Sequence, residues 1–138
     1  MIERAPLLLL DTCALIWIAE DDPISAAAVQ ALNGAHRAGQ PVYVSPISAW
    51  EVGLLTARGR LDCLMKPQLW FQRLIDGATL RLADMSPEIL ISSSFLPGTP
   101  PRDPADRIIA ATVREFGYTV VTTDRILLDY AEQGHMQP

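Results

Sequence analysis

Apolar residues fall into two rhythms along the chain. Short, nearly solid runs at Leu7–Leu10, Val42–Val44, Thr79–Leu82 and Thr119–Thr122 read as strands. Between them apolar positions recur every three or four residues. That spacing predicts helices over Ala14–Ala19, Ser25–Gly39, Ile47–Arg58, Gln68–Asp76, Ala105–Phe116 and Ile126–Glu132, with a turn or two of helix at Pro87–Ser93. Ser25 is placed to cap the second helix, and Gly39, Gly59, Gly77 and Gly117 each stand where a helix should stop.

Strands that alternate with helices, without hairpin signals between them, require crossover connections and therefore a mostly parallel sheet. The solid LLLL run suits a central strand covered on both faces. The expected fold is an α/β, three-layer α/β/α sandwich with four parallel strands and room for a fifth after Gly134. The stretch LPGTPPRDP, Leu96–Pro104, holds four prolines and a glycine and reads as a loop inside one domain spanning residues 1–138.

Composition narrows the class. The 138 residues are 49% hydrophobic and 20% charged, which is ordinary for a globular domain with its own core. No apolar run approaches the roughly 18 residues of a membrane helix. Only Arg4 precedes Leu7–Leu10 and Asp11 interrupts that run, so no signal peptide is expected and the cytoplasm is the expected location. Cys13 and Cys63 make neither a CxxC pair nor a metal spacing with histidine, and both are expected to be small buried apolar residues. The net charge of −5 argues against a nucleic-acid partner, yet ten of the eleven cations are Arg, the better bidentate phosphate ligand. Charge alone does not decide the question.

The carboxylates carry the chemistry. In a parallel sheet, strand C-termini and the N-termini of the following helices share one edge. Asp11 follows the first strand and Asp124 the last. Asp106 lies in the first turn of the helix before that last strand, and Glu51 lies early in the helix after VYVS. Each has a structural alternative. Asp103 fits a helix N-cap, with Pro104 at the first helical position and Asp106 at the third, where Asp106 can act as a capping-box acid. Asp124 can cap the last helix. Glu51 closes a capping box with Ser48 if the helix starts there; with Ser45 as cap and Pro46 first, it lies in the second turn among apolar neighbours. Asp11 is hardest to explain structurally, because a doubly covered strand delivers it to the inner rim. One site accounts for all four at once.

Four carboxylates repel one another, and their ionised forms need a cation. All-oxygen donors suit a hard ion, Mg²⁺ or Mn²⁺. Such an ion implies hydrolysis of phosphodiesters. Other chemistries lack their parts. His36 lies in a predicted helix and His135 in the tail, and there is no GxSxG elbow and no GxxxxGK[ST] loop. A phosphotransferase built on the first Asp would carry a second acid two residues on, where this chain has Cys13.

The stretches LLLLDTCALIW, VYVSPISAWEVGLLTARGRL and RDPADRIIAATVREFGYTVVTTDRILLDY together resemble the PIN-domain nucleases, and more narrowly the VapC-type toxins of type II toxin–antitoxin pairs. The resemblance runs from about Leu7 to Gly134. It implies that Asp11, Glu51, Asp106 and Asp124 form the family's metal-binding quartet, with Asp103 the extra acid of a DPADR variant. Thr12 and Thr122 or Thr123 match hydroxyl positions that orient the carboxylates, and Arg107 and Arg125 are the arginines placed to hold phosphates. It also implies a Mg²⁺- or Mn²⁺-dependent endoribonuclease that arrests growth, commonly a homodimer, silenced by a cognate antitoxin protein. The alternatives are a PIN-like RNA- or protein-binding module without useful chemistry, and a phosphatase or DNA nuclease on the same fold. Cys13 stands where relatives often carry histidine, and the chain reaches HMQP where relatives often continue into a last edge strand.

Overall fold

The computed structural model describes residues 7–20, 26–61, 65–77, 80–134 and 136. In chain order these form β1 (Leu8–Leu10), α1 (Thr12–Ala19), α2 (Ala26–Arg37), β2 (Val42–Val44), α3 (Ile47–Ala57), α4 (Pro67–Gly77), β3 (Leu80–Leu82), α5 (Pro87–Ser92), α6 (Pro104–Phe116), β4 (Thr119–Val121) and α7 (Arg125–Glu132). The predicted Ser25 cap, Thr79, Cys63 and His135 lie outside the described residues.

All strand pairings are parallel and the sheet order is β3-β2-β1-β4. The chain steps outward from β1 to β2 and β3, then returns to place β4 on the other side of β1. In such a sheet the reversal of winding opens a crevice at the strand C-termini, here between β1 and β4. The register sets Leu10 beside Val121, and the Asp11 N–H donates to the Val121 carbonyl at 3.1 Å. The crevice therefore begins at Asp11. Among the described residues the sheet has four strands, and no fifth follows α7.

The three layers follow from the pleat of β1, whose side chains alternate between faces. Leu9 packs with Ile109, Val113, Leu127 and Tyr130 of α6 and α7. Leu8 and Leu10 point the other way, with Leu15 of α1, Ala35 of α2 and the half-buried Phe71 and Leu74 of α4. These three leucines are fully buried, as the apolar run required, but Leu7, the first of the expected strand, precedes β1 and is exposed. Burying each of the three stabilises the fold by about 1.5–3 kcal/mol.

Two local signals decide how the chain enters and leaves α6. Asp103 is its N-cap and accepts from the Asp106 N–H at 3.0 Å, with Pro104 at the first helical position. Gly117 closes it at φ +70°, a left-handed conformation that glycine adopts without steric cost. Helix α3 touches α1, α4 and α6, so it reaches both helical layers next to the rim. Pro46 stands at the N-cap of α3 and can offer no side-chain cap, but the Ile47 N–H donates to Ser45 Oγ at 3.1 Å one residue earlier, and Glu51, the fifth residue of α3, lies in its second turn.

Candidate active site

Asp11 is 2% exposed, the deepest of the four acids. Its position follows from the sequence, since a strand buried on both faces ends on it, but the structure adds a second role. Helix α1 starts at Thr12 rather than Ala14, because Asp11 is itself the N-cap and its Oδ1 accepts from the Ala14 N–H at 2.8 Å. Its Oδ2 accepts from the Thr122 hydroxyl. Thr122 lies just past β4, which ends at Val121, and its oxygen also accepts from the Asp124 N–H at 2.9 Å. Thr122 thus ties the first acid to the last across the crevice. Asp124 is the N-cap of α7, with Oδ1 accepting from the Ile126 N–H at 2.9 Å.

Glu51 is half-buried, and Thr12 Oγ1 donates to its Oε1 at 2.5 Å. Thr12 Oγ1 also lies 2.9 Å from Ser48 Oγ. A threonine hydroxyl has one proton, and Thr12 spends it on Glu51, so Ser48 must be the donor in the second bond. The result is a directed relay, Ser48 to Thr12 to Glu51, in which both hydroxyls are buried. The sequence offers Ser48 only as a partner in a capping box. Its i, i+3 spacing from Glu51 puts the two on one face of α3, but nothing local points to Thr12, 36 residues earlier.

Asp106 sits on the third position of α6, and its carboxylate enters no hydrogen bond or ion pair among the described residues. Loss of water, then Asp124, Asp103, Glu51 and Asp11, push its carboxyl up to about 8. Burial raises Asp11 to about 6, against the opposing hydrogen bonds from Thr122 and the Ala14 N–H. Burial also raises Glu51, with Asp103, Asp11 and Asp124 adding to it and the Thr12 bond opposing. The four acids from four segments therefore feel one another at one rim.

The remaining sequence candidates are placed as follows. Thr123 is exposed. Arg107 donates from a guanidinium nitrogen to the Ser93 carbonyl at 3.2 Å, linking α6 to the end of α5. Arg125 pairs with Asp129 at 2.8 Å and Glu132 at 3.1 Å along α7. Cys13 corrects an expectation: it is exposed, not buried, because it occupies the second position of α1 at the rim. Its thiol is lifted to about 12 by lost hydration and by all four acids, which makes it a poor nucleophile.

Among the described residues no Arg or Lys is ion-paired with any of the four acids. The donor set, all oxygen and strongly anionic, fits a hard divalent cation in kind and in charge. No three Asp, Glu, His or Cys side chains among the described residues form a ready-made cage for one. Local hydrogen bonds account for that: oxygens of Asp11, Asp124 and Glu51 are held by backbone N–H groups or threonine hydroxyls, and repulsion keeps uncompensated carboxylates apart.

A parallel α/β domain with an acid-lined crevice at the reversal of its winding is the class that fold and site define. The sequence model of the PIN domain matches residues 8–133. The chain belongs to the PIN-domain family. It is 35% identical over 111 residues to Ribonuclease VapC22 of Mycobacterium tuberculosis, covering 80% of this chain and 81% of that protein, which places it with the VapC-type members. Its fold is shared by the crystal structure of VapBC2 from Rickettsia felis bound to a DNA fragment from their promoter, with a TM-score of 0.63, 14% identity and coverage of 95% and 96% of the two chains. Among the described residues no helix is long and apolar enough to cross a membrane.

Proposed function

We propose that this chain is a divalent-cation-dependent endoribonuclease and the toxin of a toxin–antitoxin pair, working in the cytoplasm. The observation that carries the reading is the convergence of Asp11, Glu51, Asp106 and Asp124 on one crevice without a protein cation among them. The similarity to a protein named as a ribonuclease supports RNA as the substrate. The fold shared with a VapBC complex supports an antitoxin as the partner.

Asp11, Glu51, Asp106 and Asp124 would hold Mg²⁺ or Mn²⁺. Bound there, such an ion polarises a phosphoryl oxygen and supplies a nucleophilic water at neutral pH. The chain's own part is orientation. The Ser48–Thr12 relay fixes Glu51, and Thr122 fixes Asp11 against the start of α7. Of the two arginines, Arg125 is better able to take a phosphate, because it is exposed and its Nη1 enters neither of its pairs along α7. Arg107 is half-buried on a backbone carbonyl. A homodimer accompanies this reading: α5 and the residues after it expose Ile91 (64%) and Phe95 (80%), apolar area with no cover among the described residues.

The test is cleavage of labelled RNA by the purified chain with Mn²⁺, with EDTA, and as Asp11→Ala. Cleavage is expected only from the unaltered chain with metal. Full activity in EDTA, or in folded Asp11→Ala, overturns the proposal. Growth arrest on expression, relieved by the product of a neighbouring gene, tests the toxin role.

A further inference from the structure

A second feature adjoins the acid rim without belonging to it. A cavity of about 400 Å³ is walled by Pro101, Arg102, Asp106, Ile126, Asp129 and Gln133, among others. That volume lies within the usual range for small-ligand sites. Asp106 is common to the cavity and the acid cluster, so whatever fills the cavity lies next to the proposed point of chemistry. Ile126, two residues past Asp124, is 57% exposed, so folding gains little from it. Together with Pro101 it gives the cavity an apolar surface on which a flat ring could rest.

The polar wall is set by bonds already made. Asp129 lies on α7 and Gln133, the C-cap that follows it in helical conformation, stands four residues on, toward the same side. Arg125 holds Asp129 through Oδ1, leaving Oδ2 to accept. The Thr99 N–H donates to Gln133 Oε1 at 3.0 Å, which fixes the amide so that its Nε2 hydrogens remain to be given. Arg102 is ion-paired with no acid among the described residues. The wall therefore offers carboxylate acceptors, one amide donor and one cation, around an apolar surface.

We propose that this cavity takes one unstacked nucleobase of the RNA strand whose phosphate lies at the acid rim, and that it prefers guanine. The inference rests on the ribonuclease reading above. Single-stranded RNA is read by splaying bases onto side-chain surfaces and bonding their Watson–Crick edges. Ile126 and Pro101 cover the base face, and Arg102 meets a flanking phosphate. Guanine is the one base with two adjacent N–H donors on that edge, N1–H and N2–H, which can share the two lone pairs of the free Asp129 Oδ2. Its O6 beside them accepts from Gln133 Nε2.

The experiment measures anisotropy of fluorescein-labelled hexauridylate and its three forms carrying a single G, A or C. The full chain is used as Asp11→Asn, with Mg²⁺, so that binding is read without turnover. The G strand is expected to bind about tenfold more tightly than the other three, within the range of a good bidentate base contact. Gln133→Glu keeps the acceptor for the Thr99 N–H but loses the donor, and exposed Ile126→Ala loses the apolar wall. Gln133→Glu is expected to cut the G advantage below about threefold, whereas Ile126→Ala, which touches only the base face, is expected to weaken all four strands and leave the preference. Equal binding of all four strands, a G advantage that survives Gln133→Glu, or binding untouched by Ile126→Ala overturns the subsite. Cleavage of the same strands by the unaltered chain reads the activity separately. Selective binding with no cleavage keeps the subsite and refutes the ribonuclease, whereas cleavage with unselective binding does the reverse.

Discussion

Asp11→Asn is expected to stabilise the metal-free protein while removing its activity. Burial raises the Asp11 carboxyl from 3.8 to about 6, so the native state holds that proton more tightly than the unfolded chain does. The stabilisation this proton gives is fully present below about pH 4 and is lost as the pH rises through about 6. Each tenfold gain in proton affinity is worth about 1.4 kcal/mol, so ionised Asp11 costs the metal-free fold about 3 kcal/mol above neutral pH. Asparagine does not titrate and still presents Oδ1 to the Ala14 N–H, while its NH₂ can donate to the Thr122 oxygen. It also relieves Asp106 and Glu51, both of which Asp11 raises. For a chain of this size about 3 kcal/mol is roughly 10 °C in Tm. Thermal melts in EDTA should therefore show Asp11→Asn melting several degrees above the parent near pH 8 and close to it near pH 4. Saturating Mn²⁺ should reverse the order near pH 8, because only the parent has the full donor set. An equal difference at both pH values, or a less stable Asp11→Asn near pH 8, would refute the electrostatic account of this site.

Ser48→Ala should lower Mn²⁺ affinity by calorimetry and cost about 1 kcal/mol of stability, the usual worth of one hydrogen bond. Added to Thr12→Val it should change little more, since both act through Glu51. Mn²⁺ affinity should rise between about pH 6 and pH 8 with net proton release, because Asp11 at about 6 and Asp106 at about 8 must lose protons to bind; calorimetry in buffers of different ionisation heat measures that release. Asp103→Ala should cost about 1 kcal/mol through loss of the α6 cap, and Asp103→Asn almost none, as read from urea midpoints.

The sequence conveyed what is local or periodic. The LLLL run announced a strand covered on both faces, and Asp103-Pro104 with Gly117 marked both ends of α6 as the structure has them. The approach of four acids to one rim was legible because a parallel sheet sends every strand end to the same edge. Contacts between distant segments were not legible. Ser48 reached the site through a side-chain bond spanning 36 positions, and Thr122, offered as a carboxylate-orienting hydroxyl only by the family resemblance, left its predicted strand to bond Asp11 across 111. Cys13 looked like a core residue by composition, but whether the start of α1 faced water depended on the crevice that topology opens beside it.

The capping roles of Asp11 and Asp124 do not compete with a site at the same atoms; they explain how such a site is held. Three helix N-termini face this rim, those of α1, α6 and α7, with Asp11 and Asp124 as caps and Asp106 in a first turn. Helix N-termini favour negative charge by about 0.3–1 kcal/mol each. That is a few kcal/mol in total, enough to orient the acids and too little to offset burial, since Asp11 and Asp106 stay raised. An arginine in the crevice would complete the compensation, but it would also occupy the place of an exchangeable cation. The sequence instead keeps Arg107 on the Ser93 carbonyl and Arg125 on Asp129 and Glu132. If the proposed divalent cation binds here, the residual instability at this rim becomes affinity for it, which is why replacing Asp11 should strengthen the metal-free fold and silence it together.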